Sequence, residues 1–220
     1  MTSTRTGRPR DFLAIDRLPL VGGRTCLDFI NTTGARAEPA PRERLTSYAD
    51  LLVFCHRARI HTAGTAAAAR RRSQDRPQDA AAALRDLIEL RELLYRVLSR
   101  VVAGRTPAAP DLGRFNKEHQ LACQHRRLCW SRSGLNWAWD VQPGDLAGMR
   151  WSLVESAADL LTSRDLARVR QCAECDWLFL DSSKNGSRLF CKKTCSDRVR
   201  SRRHYNRRQA AKRPRQRRRP

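Results

Sequence analysis

Four of the eight cysteines fall within 24 residues, in the order Cys172-x2-Cys175-x15-Cys191-x3-Cys195. Zinc takes four ligands at the corners of a tetrahedron, with thiolate sulfurs about 2.3 Å away. A two-residue spacer lets neighbouring cysteines face one ion while backbone amides turn toward the sulfurs. Two such pairs, brought together by a hairpin, close the site. Four thiolates leave no coordination position for water, so the spacing predicts one structural zinc ion rather than a catalytic one. Iron–sulfur patterns gather three cysteines more closely and fit less well. A zinc ion with four thiolates carries a formal charge of about −2, which Lys184, Arg188, Lys192 and Lys193 offset. Metal binding then supplies most of the folding free energy of so small a segment, on the order of 10 kcal/mol.

The elements that must hold these ligands are short. Trp177 to Leu180 reads as one strand and Arg188 to Phe190 as another, with Asn185-Gly186 as the turn between them. After Cys195 the chain runs to Pro214 without Gly or Pro, and Ser196 and Asp197 favour a helix start. A knuckle, a hairpin and a helix whose first turn carries the last ligand make a treble-clef-like zinc finger. On the helix, Arg200, Arg203, His204 and Arg207 fall on one face, and Arg198, Arg202 and Arg208 widen it. Val199 and Tyr205 are placed to pack back on Phe179 or Phe190. With Lys184 and Arg188, the basic residues form the expected nucleic-acid surface, suited to phosphates or to a major groove. Phosphate contacts are the commoner role, although arginine also reads guanine edges.

Charge supports this placement. The 220-residue chain carries 44 Lys/Arg against 22 acids, a net +22. Sixteen of the basic residues and a single acid lie from Ser182 onward, leaving only +7 for the first 181 residues. A basic end joined to a metal motif points to an anionic polymer as partner. At 40% hydrophobic and 30% charged residues, the chain can still build a packed core. No apolar run approaches the roughly 18 residues of a membrane span, and the first twenty residues hold no apolar stretch of the secretory type. The expected location is cytoplasmic.

Upstream of the finger the pattern is mainly helical. Residues 1–17 read as a flexible arm, 18–168 as a helical domain, 169–208 as the finger and 209–220 as a basic disordered tail. Gly22-Gly23 marks a tight turn or a close backbone approach. Ser47 and Asp50 form a capping box ahead of Tyr48, Leu51, Leu52 and Cys55. Gly64 to Gln78 reads as a mobile linker. Asp79 then caps a long helix over 80–103, striped by Leu84, Leu87, Ile88, Leu94, Tyr95, Leu98, Val101 and Val102. A helix over 111–125 turns Leu112, Phe115 and Cys123 inward. A hairpin over 127–131 and 135–141 turns at Ser133-Gly134, with Trp137 and Trp139 pointing the same way. Helices over 145–163 and 164–170 follow. Cys26, Cys55, Cys123 and Cys129 read as small buried hydrophobes.

Four polar residues interrupt apolar patterns here: Asp28, Asn31, Arg91 and Asn116. They either line a pocket for a small, anionic effector or form a closed structural network, for instance an Arg91–Asp28 pair. An arginine on an inner face needs a carboxylate merely to be tolerated, which favours the network.

The cysteine segment resembles the CGNR zinc finger, a bacterial C-terminal module. The resemblance rests on both cysteine pairs, on Leu178 to Asp181 (LFLD) and on the S-x-N-G-S-R run from Ser183 to Arg188. The name-giving tetrad is Cys195-Ser196-Asp197-Arg198 in this chain, so the ligand and the arginine remain while Gly and Asn are replaced. The preceding region resembles the ABATE domain. That likeness is carried by Gly22-Gly23-Arg24-x-Cys26-Leu27-Asp28-Phe29-x-Asn31-Thr32, by Leu90 to Tyr95, by Phe115-Asn116 and by Ser156 to Leu161. Together the two cover roughly residues 18 to 208. The resemblance implies a stress-induced transcription regulator.

The combined expectation is a zinc-finger protein that binds DNA, with the helical domain sensing an effector or forming a homodimer. The alternative is an RNA- or ribosome-associated zinc protein. No H-E-x-x-H, nucleophile elbow or phosphate loop occurs in the chain, so no enzymatic activity is expected.

Overall fold

The computed structural model describes residues 14–34, 36, 41–60, 63–132 and 134–212. Most of the expected arm, Ser133 of the hairpin turn and 213–220 of the expected tail lie outside these residues.

The fold is mainly helical, as the apolar periodicity predicts. Helix α4 (Pro77–Val102) is its axis. Leu84, Leu87, Leu90, Leu93, Leu94, Val97 and Leu98 are buried along one stripe. Around it pack α1 (Thr25–Ile30), α2 (Tyr48–Arg57), α3 (Ala63–Asp75), α5 (Ala109–Gln124) and α6 (Met149–Thr162). The Ser47–Asp50 capping box is formed and orients α2, whose Tyr48, Leu51, Leu52, Phe54 and Cys55 are buried. Tyr48 also donates its hydroxyl to the Leu146 carbonyl at 2.8 Å, ahead of α6. A bidentate pair from Arg150 to Glu118, at 2.7 and 2.8 Å, ties α6 to α5.

The structure differs from several expectations. The segment read as a mobile linker is helix α3, because its alanines favour helix and Ala69 is buried against the core. Helix α4 begins at Pro77, where a missing N–H costs nothing, and Asp79 is a first-turn anion rather than the cap. Ile15, assigned to the arm, sits in a 3-10 turn and is buried, and Arg57 Nη1 donates to its carbonyl at 2.6 Å. On α5 the inner face is Phe115, Glu118 and Ala122, while Leu112 and Cys123 are exposed. Cys26 and Cys55 are buried as expected, whereas Cys129 is only partly so. Helix α6 starts at Met149, after a turn through Gly144.

Strands β1 (Arg126–Ser131) and β2 (Gly134–Trp139) form the expected antiparallel hairpin, in register Leu128↔Trp137 and Trp130↔Leu135. A second antiparallel pair, β3 (Val169–Gln171) and β4 (Leu178–Leu180), begins the finger. Helix α7 (Lys193–Lys212) ends the described chain. Among the described residues, no helix is long and apolar enough to cross a membrane.

Candidate functional site

The first cysteine pair sits at the tip of the β3–β4 hairpin. Cys172 N–H donates to the Trp177 carbonyl at 2.8 Å, and Asp176 N–H donates back to Cys172 at 3.2 Å. Asp176 adopts φ 61°, the left-handed turn that lets the knuckle close. The partner of β4 is therefore β3 rather than the expected Arg188–Phe190. The physical reason is local: the short knuckle brings 169–171 alongside 178–180 at little loop-closure cost. The chain after β4 turns instead around Asp181, whose carboxylate accepts from the N–H groups of Ser183 and Arg188 at 2.9 and 2.8 Å. That loop delivers Cys191, and the first turn of α7 delivers Cys195. Helix α7 starts at Lys193, which puts the last ligand in its first turn as expected, with Ser196 and Asp197 inside the helix.

The four sulfurs all lie within 4.8 Å of one another. Three of the edges are 3.6 Å (Cys175–Cys191), 3.8 Å (Cys191–Cys195) and 3.7 Å (Cys195–Cys175). Ligands about 2.3 Å from a tetrahedral centre stand about 3.8 Å apart, so the cluster fits one structural zinc ion without rearrangement. The backbone N–H of Cys191 faces the Cys172 sulfur at 3.4 Å, as expected around a thiolate. Two of the four nearby cations, Arg188 and Lys192, are spent on the finger itself. Arg188 lies over the Phe179 ring at 5.2 Å and donates to the Cys191 carbonyl at 2.7 Å. Lys192 sits 4.5 Å above the Trp177 ring.

The predicted nucleic-acid residues thus divide. Arg188 is part of the finger's internal scaffold. Arg202 is paired with Glu174 of the knuckle, and Arg200 lies 3.7 Å from Asp197. Lys184 is exposed on the loop after β4. Every residue from 200 to 210 is exposed, including Arg203, His204, Arg207 and Arg208, and Arg198 is exposed one turn earlier. Tyr205 is 43% exposed rather than packed inward, and Val199 is half-buried. Over residues 200–210, α7 has no buried face.

The finger is fastened to the helical domain by the glycine-rich stretch around α1. Asn31 donates from Nδ2 to the Leu178 carbonyl at 2.8 Å and accepts from Leu178 N–H at 3.1 Å. Leu180 N–H donates to the Gly22 carbonyl at 2.8 Å, and the Trp177 indole donates to the Thr33 carbonyl at 3.1 Å. Arg24 pairs with Asp165. The glycines permit this approach: a Cβ on Gly22 would lie 2.7 Å from the Asp28 nitrogen, and Gly23 holds φ +78° against Leu180. This docking role was not read from the sequence. The signals available were an asparagine inside an apolar pattern and the Gly22-Gly23 pair, which marks a close backbone approach without naming what approaches.

The four residues considered for an effector pocket are not brought together. Arg91 is 2% exposed and closed by ion pairs. It meets Glu43 through two bonds at 2.8 and 2.6 Å, Glu92 at 2.9 Å and the Thr32 hydroxyl at 3.0 Å. The network reading is therefore the one observed, with Glu43 and Glu92 in place of Asp28. Burial alone would raise the Glu43 carboxyl, but the hydrogen bond and charge of Arg91 outweigh it and hold it below its ordinary range. Both ends of the Asn31 amide are taken by Leu178. Asn116 is exposed on α5. Asp28 accepts from Gly22 N–H at 2.7 Å, and burial raises its carboxyl to about 6. It borders a cleft of about 480 Å³ shared with Gly23, Arg24, Trp139, Glu155 and Asp159. That cleft is acidic, which does not suit an anion.

Two family models match the chain. The ABATE model, described as a "Putative stress-induced transcription regulator", covers residues 23–164. The CGNR zinc finger model covers residues 168–208, including all four cysteines. No curated protein matches the chain. With most of its length matched by the first model and its metal module by the second, the chain belongs to the ABATE family and carries a CGNR zinc finger.

Proposed function

We propose that this protein is a DNA-binding transcription regulator whose recognition element is α7. The observation that carries this is the continuous exposure of residues 200–210 on a helix whose base is fixed by the four-cysteine site. A solvent-facing helix rich in arginine is costly in self-repulsion unless an anion answers it. Anchored at one end, it is preorganised to enter a groove or lie along phosphates. Zinc bound to Cys172, Cys175, Cys191 and Cys195 supplies the rigidity of that base and no chemistry on a substrate. Arg198, Arg203, His204, Arg207 and Arg208 form the contact surface, with Lys184 beside the finger. Arg202 and Arg200 reach phosphate only by leaving their acid partners.

The helical domain carries the finger through the Asn31 clamp and supplies dimerisation or effector sensing. Sensing is supported by the acidic cleft, because Gly23 and Arg24 line it and belong to the turn that holds β4. A cytoplasmic location follows from the nucleic-acid partner.

The test is selection of bound sequences from random double-stranded DNA by zinc-loaded full-length protein, with an RNA pool alongside. A reproducible DNA motif is the expected result. Strong RNA enrichment without a DNA motif would transfer the protein to the RNA- or ribosome-associated class. No enrichment in either pool would remove sequence recognition from α7.

A further inference from the structure

The β1–β2 hairpin presents a face that no other described element covers. Side chains alternate along each strand, so Leu128 and Trp130 share one face with Leu135 and Trp137 opposite them. Their exposures are 56%, 80%, 64% and 58%. Trp139 lies on the same face at the base and is packed on the core, and Arg126 is paired with Glu155 of α6. The hairpin is thereby held in place, and its outer half offers four large apolar side chains to water. That is on the order of 500 Å² of apolar surface, at the upper end of what a monomer shows.

We infer that this hairpin face is the interface with a second copy of the chain. The inference rests on the dimerisation part of the function proposed above and names its surface. Two observations select a second copy over other occupants. First, the area is more than half of the roughly 800 Å² that one partner contributes to a standard interface. A two-fold related hairpin covers it with an isologous face-to-face contact, each apolar residue meeting its counterpart's neighbour. Second, the arginines of the two strands are answered by acids. Arg126 is paired with Glu155 and Arg127 with Asp140 at 3.1 Å, which leaves Arg132 exposed at the turn. On a chain of net +22, an apolar patch whose strand arginines are paired is where two copies approach with little repulsion. A nucleic-acid platform or a membrane-surface site needs several arginines available at its rim, and the two beside this face are bound to acids.

Sedimentation equilibrium of the full-length, zinc-loaded protein without nucleic acid tests the assignment. The expected result is a dimer of the 25.2 kDa chain that persists at high salt, because its contacts are apolar. Trp130→Ser and Trp137→Ser are expected to raise its dissociation constant by about 30-fold or more. Leu189→Ser, at an equally exposed leucine of the finger, leaves it unchanged. Circular dichroism confirms that each variant keeps its helix content. A wild-type monomer at high protein concentration would overturn the inference, as would a dimer indifferent to both tryptophans. A monomer whose tryptophan fluorescence responds to single-stranded DNA or anionic vesicles would assign the face to that partner. Loss of DNA binding with the dimer intact would count against the function of α7 alone.

Discussion

Asn31 and Leu178, 147 positions apart, exchange two hydrogen bonds at 2.8 and 3.1 Å, so a side-chain amide completes the edge of strand β4. The asparagine is buried and amphoteric, offering one donor and one acceptor to a backbone that needs both. Asn31→Asp keeps the acceptor but sets a carboxylate against the Leu178 carbonyl. We expect it to cost about 2–4 kcal/mol. Urea unfolding should show a lower midpoint with an unchanged slope, and hydrogen exchange should show β4 losing protection first. An unchanged midpoint would mean that the clamp does not couple the two parts.

Zinc and the clamp act on the same strand. Removing the metal should therefore loosen more than the finger. A strong chelator, or Cys191→Ser, should unfold the finger, with a loss on the order of 10 kcal/mol of metal-linked stability. The melting midpoint of the helical domain should fall with it, because Asn31, Gly22 and Thr33 lose their partners. Metal content by mass spectrometry and thermal melting before and after zinc return are the readouts. A metal-free protein that melts as before would contradict a structural role for the ion.

The arginines should separate by position. Arg203→Ala and Arg207→Ala, on the exposed part of α7, should weaken DNA binding and reduce the salt slope by about one each. Arg188→Ala should instead loosen the finger, since its guanidinium holds the Cys191 carbonyl and covers Phe179. Titrations over a range of salt, paired with melting curves, distinguish these outcomes. A slope unmoved by Arg203→Ala would take that residue out of the phosphate footprint.

Asp28 gives a pH dependence of defined sign. Burial raises its carboxyl to about 6, against about 3.9 in an unfolded chain. The folded state therefore binds more proton between those values. The contribution of Asp28 to stability is full below about pH 4 and is lost as pH rises through about 6, by on the order of 3 kcal/mol. Asp28→Asn keeps an acceptor for Gly22 N–H and cannot ionise. It should be more stable than wild type at neutral pH and should abolish that decline. Melting curves at pH 4 and 7 decide the matter, and a variant no more stable at pH 7 would place the proton elsewhere.

Much of this protein was legible in its sequence. The cysteine spacing was enough for the zinc site, because tetrahedral coordination by four thiolates is a local demand. Apolar periodicity was enough for α4, and the Ser47–Asp50 pair for the start of α2, because both are set within one or two turns of chain. Tertiary structure decided the rest. It chose Glu43 over Asp28 as the partner of Arg91, made a helix of the alanine-rich segment at 63–75, and gave β4 to β3. It divided the arginines near the finger into those spent on packing and those left to solvent. Above all it turned Asn31 from a pocket candidate into a clamp. A buried polar group must find a partner, but its type does not say which backbone, more than a hundred residues away, the folded chain will bring to it.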